Sequence, residues 1–292
     1  MLPVERIEAD PAGYTALAAA ALPYDADEAA PVLSRLAAPP AGRPGAWLAA
    51  GDGGLAVASL SGTVGHLDLI AVHPAVRRRG TGTALVRAAE AELRALGATE
   101  LRWSGNPPCD AWPGIDVRYT PAVCCAAASG YERYDAAHNM TADLETAELC
   151  SAADEDRLAR DGVLIAAAAE SELGLLGNWV ENTWNPAWRW EVEQSVRGTH
   201  GGCHVAWRDG EPVAFAAYGG NRPAWFGPMG TDPDARNLGL GRVLLRRCLA
   251  DLRATGRRTA QIAWAGPFAF YARTVGARLD RIFWLYRKEL RG

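Results

Sequence analysis

Lysine is almost missing from this chain. Of its 292 residues, 30 are Lys or Arg, and Lys288 is the only Lys. A Schiff-base lysine or the lysine of a phosphate-binding P-loop is thereby excluded everywhere but one strand-like run near position 288. Long apolar runs are also missing: the longest, such as "VLIAAAA" at 163–169, fall far short of the roughly 18 residues that a membrane span needs. The start, "MLPVERIEADP", lacks the basic head and apolar run of a secretory signal. The six cysteines include no C-x-x-C pair and read as reduced thiols, so the expectation is a cytoplasmic protein without membrane segments. A net charge of −4 gives no general attraction to nucleic acid.

What the chain has is a repeat. "HPAVRRRGTGTALVR" begins at His73 and "DPDARNLGLGRVLLR" at Asp232. Pro74, Arg77, Gly80, Gly82 and Leu85 recur as Pro233, Arg236, Gly239, Gly241 and Leu244, always 159 positions later. "RALG" at 94–97 meets "RATG" at 253–256 in the same register. Such a register points to two copies of one domain. The joint is placed within "ADLETAELCSAADEDRLARDG", giving domains 1–147 and 148–292.

Each copy reads as α/β with a mixed sheet. In the first, "VERI" is a strand, "PAGYTALAAAAL" and "EAAPVLSRL" are helices, and "AWLAAGDGGLAVASL" is a hairpin around a Gly/Asp turn. In the second, "VLIAAA", "ESELGLLGNWVENTW", "PAWRWEVEQSV" and "CHVAWRDGEPVAFAAY" repeat that order, with Asn185 as N-cap and Pro186 at the first helical position. A strand, the glycine motif, a helix of about fifteen residues and another strand follow in both, a strand–helix–strand unit.

The motif R-x-x-G-x-G is not a Rossmann fingerprint. Leu85 and Leu244 stand where its third small residue belongs, and the motif lies deep in each copy. It resembles the acyl-CoA loop of the GNAT acyltransferase superfamily, [QR]-x-x-G-x-[GA], between the fourth strand and the next helix. The layout is similar to that of mycothiol synthase-like double GNAT proteins. Glycines there let backbone N–H groups approach a diphosphate at a helix N-terminus.

The resemblance implies acetyl-CoA as cofactor and direct acetyl transfer to a primary amine of a small molecule, by a monomer or homodimer. The implied cofactor-binding residues are Val72, Arg77, Arg78, Arg79, Gly80, Thr81, Gly82 and Thr83 in the first copy. In the second they are Thr231, Arg236, Asn237, Leu238, Gly239, Leu240, Gly241 and Arg242. Tyr271, five residues before Gly276, is the expected general acid; the first copy has Cys125 and Ala126 there. Asp68, four residues before Val72, is the expected base of the first copy, and the matching residue of the second is Gly227. Acid and base are thus split between the copies. The second copy is expected to do the chemistry, with Glu181, Glu191 or Glu193 near an aromatic acceptor pocket of Trp179, Trp184, Trp188 and Trp190, which cannot all face one core. The rival reading is a non-catalytic acyl-CoA-binding module with two decayed sites. His200, Cys203 and His204 lack a nearby fourth ligand, and no metal is expected.

Overall fold

A computed structural model describes residues 2–290. The chain forms two compact units: residues up to Ala137 together with those from Arg281 onward, and His138–Asp280. The repeat places the joint at 147/148; the contacts divide the chain inside two strands instead.

The first unit begins with β1 (Glu5–Ile7), α1 (Pro11–Ala21) and α2 (Ala29–Leu36), then β2 (Gly45–Ala49), β3 (Gly54–Ser61) and β4 (Val64–Val72). After the glycine loop come α3 (Thr81–Ala95), β5 (Glu100–Trp103), the short β6 (Ile115–Asp116) and α4 (Thr120–Ala128). β7 (Glu132–Asp143) carries the chain into the second unit. There α5 (Ala152–Arg160), β8 (Val163–Ala167), α6 (Leu173–Thr183), α7 (Pro186–Arg197), β9 (Gly202–Arg208), β10 (Glu211–Tyr218) and β11 (Trp225–Thr231) follow. The second glycine loop leads to α8 (Leu240–Ala254), β12 (Thr259–Ile262), α9 (Phe268–Val275) and β13 (Arg278–Glu289), which returns to the first unit.

Within each unit the pairing is the same. β1 to β4 pair antiparallel in sequence order, β4 pairs parallel with β5, and an antiparallel strand flanks β5. β8 to β12 repeat this. The outer strands are exchanged. β5 is flanked by β13, through Tyr286↔Trp103 to Glu289↔Glu100, and β12 by β7, through Thr259↔Asp143 to Ile262↔Met140.

β3 is buried along almost its whole length because both faces of the sheet are covered. Leu85, Val86, Ala89 and Leu93 of α3 cover one face, and Leu17, Val32, Leu33 and Leu36 of α1 and α2 cover the other. The second unit repeats this with Val243, Leu244, Leu245, Cys248 and Leu249 of α8 and with Leu173, Leu176 and Val180 of α6. The amphipathic spacing of these residues is what selects helix over strand. Asn185 caps α7 as its sequence predicts, its side chain accepting from the Trp188 N–H at 2.9 Å.

Candidate active site

The two glycine loops share one backbone. Arg78 and Gly80 have φ of 62° and 86°, and Asn237 and Gly239 have 68° and 83°. Two left-handed residues so close to a helix start turn successive N–H groups toward one point, a cradle for an anion. Gly80 and Gly239 are the N-caps of α3 and α8, and neither helix has a side-chain cap. The first-turn N–H groups therefore have no partner inside the helix. Residues and backbone at both loops suit a diphosphate.

The surroundings of the loops differ. In the first unit, Arg78 and Arg79 are exposed and form no ion pair among the described residues. Arg77 holds the loop in place, donating to the carbonyls of Val72 (3.1 Å) and Ala21 (2.9 Å). In the second unit, α5 lies over the loop. Arg157 donates to the Leu238 carbonyl at 2.8 Å, and its guanidinium is 3.5 Å from where a Cβ on Gly239 would sit. Arg242, at the start of α8, is tied to Asp154 at 2.6 Å. Next to Gly241, Met229 and Phe270 crowd the position a side chain would take, at 3.2 and 3.5 Å; beside Gly82 the neighbours Cys125 and Val72 stand back at 3.7 and 3.8 Å.

Beyond the loops each sheet opens. β4 and β5 pair only from Val64↔Glu100 to His66↔Arg102, and β11 and β12 only at Trp225↔Gln261 and Phe226↔Ile262. In the first unit the opening holds a cavity of about 810 Å³, reaching from Thr81, Gly82 and Thr83 past Leu67–Ile70 to Trp103 and Ile115. Asp68 lines it at a β-bulge: Leu69 faces Val57 and Leu67 faces Ala58, so Asp68 is the extra residue. Its Oδ1 is sealed from solvent and accepts no hydrogen bond. Burial pushes its carboxyl up to about 7; Ser59 and Arg43 pull it down and Asp110 pushes it further up. Burial raises the Cys125 thiol as well, which keeps it protonated and uncharged.

The cavity also borders an ion network. Arg281, on β13, is buried and donates to Asp25 at 2.7 and 3.0 Å and to Asp116 at 2.7 Å. Arg118 adds a 2.7 Å bond to Asp116, and the Tyr119 hydroxyl donates to Asp25 at 2.7 Å. Both guanidinium groups hold the Asp116 carboxyl below its ordinary range despite its burial. Sequence reading missed Arg281: it stands 256 positions from Asp25, with no local signal to mark it.

In the second unit the corresponding bulge sets Gly227 and Pro228 against Ala217. Pro228 has no N–H to offer. The Trp184 ring lies against Gly230, where a Cβ would collide with it. Trp179, Trp184 and Trp188 pack together around Phe215, with ring centroids 5.1–6.1 Å apart. These three share one cluster, which does not include Trp190, and they meet across the turn that separates α6, ending at Thr183, from α7. Tyr271 is buried in the core, edge-on to Phe226 and Phe270, and burial pushes its phenol up to about 12. Glu181 is paired with Arg189 at 2.7 Å, and Glu193 with the same guanidinium at 2.9 Å. The structure thus sets Asp68 in the first unit and Tyr271 and Glu181 in the second. His204 bonds Asp251 at 2.7 Å rather than joining Cys203, and no group of metal-binding side chains occurs among the described residues. No helix among them is long and apolar enough to cross a membrane.

The family model described as "Acetyltransferase (GNAT) family" matches residues 23–111 and 169–275. A search of curated proteins returns no match. Among solved structures, the glucosamine N-acetyltransferase region of a fungal multi-domain GH3 beta-N-acetylglucosaminidase superposes with a TM-score of 0.75 at 16% identity. That match takes in 98% of this chain but 38% of the fungal one, so this chain spans well under half of that relative's length. A tandem GNAT protein from the clavulanic acid biosynthesis pathway matches over 98% of both chains, with a TM-score of 0.68 and 20% identity. A GCN5-related N-acetyltransferase from Sphaerobacter thermophilus covers 100% of this chain and 98% of its own, with a TM-score of 0.63 and 19% identity. At such identities the likeness is one of fold. With one family match on each like-folded unit, the chain belongs to the acetyltransferase (GNAT) family as a tandem member.

Proposed function

We propose that the first unit transfers an acetyl group from acetyl-CoA to the primary amine of a small molecule. The observation that carries this reading is Asp68, a carboxylate in no ion pair at the β4 bulge, lining a cavity that begins at an unobstructed glycine loop. The residues fit the cofactor. Thr81, Gly82 and Thr83 offer helix-start N–H groups to the diphosphate, and Arg78 and Arg79 supply positive charge. Acetyl-CoA, when bound, supplies the acetyl group as an activated thioester.

The chain does the rest. An amine arrives at neutral pH as an ammonium and must lose a proton before it can attack. Asp68, held near 7, holds a proton more strongly than an ordinary carboxylate and is a base matched to neutral pH. The bulge frees ladder groups of β4 beside it, and Leu67, Leu69 and Trp103 form apolar walls there. Cys125, near Gly82 and five residues before Gly130 as Tyr271 is before Gly276, is the proton donor of the first unit.

Asp68→Asn tests the reading, since it keeps the shape and removes the base. Loss of a general base costs about 10²–10⁴-fold, so turnover with a verified amine should fall at least a hundredfold while acetyl-CoA binding persists. Unchanged turnover would move the chemistry elsewhere. The second reading places it in the second unit, with Tyr271 as acid and Glu181 as base; the retained proton of Tyr271 favours it. Tyr271→Phe would then cripple turnover and Asp68→Asn would not. Acetyl-CoA binding without turnover on any amine would favour a binding module.

A further inference from the structure

Four charged residues line the first unit's cavity: Asp68, Arg77, Arg78 and Asp116. They do not carry equal weight toward a ligand. Arg77 and Arg78 belong to the glycine loop, at the cofactor end. Asp116 already faces two guanidinium groups, Arg118 and Arg281, each at 2.7 Å. Asp25, behind it, is saturated by Arg281 and by the Tyr119 hydroxyl. Away from the loop, Asp68 is the one carboxylate of the lining in no ion pair among the described residues, although a hydrogen bond from Ser59 and the charge of Arg43 act on it. Its walls include the apolar Leu22, Leu67, Leu69, Trp103 and Ile115, with Ser104, Tyr119 and Thr120 as polar members.

One carboxylate can neutralise one ammonium. A second ammonium carried into these walls would be desolvated without a partner, a large cost for a buried charge. A polyhydroxylated amine carries more hydroxyls than Ser104, Tyr119 and Thr120 can partner, and would strand the rest against leucine and isoleucine side chains, each a lost hydrogen bond. A phosphorylated amine would bring an anion toward Asp68. An apolar body gains from the same walls, and an aromatic one can also pack against the Trp103 ring.

We propose that the acceptor of the first unit is a monocationic primary amine on an apolar or aromatic body, its ammonium set at Asp68 and its body against Leu22, Trp103 and Ile115. This rests on the reading of the first unit as the acyl-transfer site, and the test separates the two.

The full chain is assayed with acetyl-CoA and, in turn, phenethylamine, hexylamine, spermidine, glucosamine and kanamycin, following CoA release. The same amines are titrated calorimetrically into the chain saturated with CoA. The expected result is a kcat/KM for phenethylamine or hexylamine at least tenfold above those for the other three, with the same order in binding. A higher kcat/KM for spermidine, glucosamine or kanamycin overturns the acceptor class and leaves the acyl-transfer reading standing. If no amine is acetylated, binding decides: tighter phenethylamine than spermidine, weakened at least tenfold by Asp68→Asn, upholds the class while the transfer reading falls. Equal or absent binding of the apolar amines overturns it.

Discussion

Arg281 donates to both carboxylate oxygens of Asp25, 256 residues earlier, at 2.7 and 3.0 Å, with neither side chain more than 2% exposed. The same guanidinium holds Asp116. Two carboxylates on the first half of the chain therefore depend on one residue of its last strand. Removing one partner of a buried ion pair leaves an uncompensated charge, which typically costs about 3–5 kcal/mol. Arg281→Met should lose stability of that order in urea unfolding. Arg281→Lys should recover only part of it, because a point charge cannot reproduce three directed bonds. Full stability in Arg281→Met would show that the network carries no net weight.

Asp68 gives the activity a pH limb. With its carboxyl raised to about 7, it is protonated and useless as a base below that value and ionised above it. The kcat/KM for the amine should climb from pH 5.5 to 8 with an apparent midpoint near 7. In Asp68→Asn the residual rate should lose this limb. A flat wild-type profile over that range would contradict the assignment.

The same residue makes a stability prediction of definite sign. The folded chain holds the Asp68 proton up to about 7, whereas the unfolded chain releases it near 3.9. Stability is therefore lost as pH rises between those values, and the loss is complete above the upper one. Asp68→Asn removes the loss. It should be more stable than wild type at pH 8, by up to about 4 kcal/mol for a shift of this size, and equal to it near pH 3.5. Thermal unfolding at the two pH values reads this directly. A wild-type advantage at pH 8 would mean that the ionised form is stabilised by contacts absent from the present geometry.

The glycine loops should differ in cofactor affinity. Gly80→Val places a β-branched residue at φ of 86°, and the cradle should fail. Calorimetric titration of acetyl-CoA should then show at least a tenfold loss. Gly239→Val strains the second loop equally but should spare this binding, since Arg157 and Asp154 already engage that loop. A wild-type stoichiometry of two, halved by either variant, would show both loops at work.

Much of this was legible in the sequence, where the signal is local. The Pro–Arg–Gly–Gly register fixed both loops, and the two φ values of each loop repeat at the predicted spacing of 159 positions. Asn185 and Pro186 announced the start of α7. Asp68 was visible as an acid four residues before Val72, but its bulge, its unpaired oxygen and its cavity depend on β3 and β5, which no local pattern encodes. Tyr271 and a tryptophan-rich stretch are the local signals that point to the second copy. Trp179, Trp184 and Trp188 of that stretch pack, partly buried, against one core cluster across the turn at Trp184. Arg281 was illegible for the same reason as the strand exchange: an alternating strand looks alike whichever sheet it joins.

That exchange sets an order on synthesis. β5 ends at Trp103 and its partner β13 begins at Arg278, so some 175 residues must be made between them. At roughly 5–20 residues per second, this is on the order of 10–35 s during which the first copy has an open edge. Asp116 waits for its guanidinium across 165 residues, and Asp25 across 256. The N-terminal copy is thus the first to be made and the last to be finished. Its cavity takes its final shape only once the second copy has been translated.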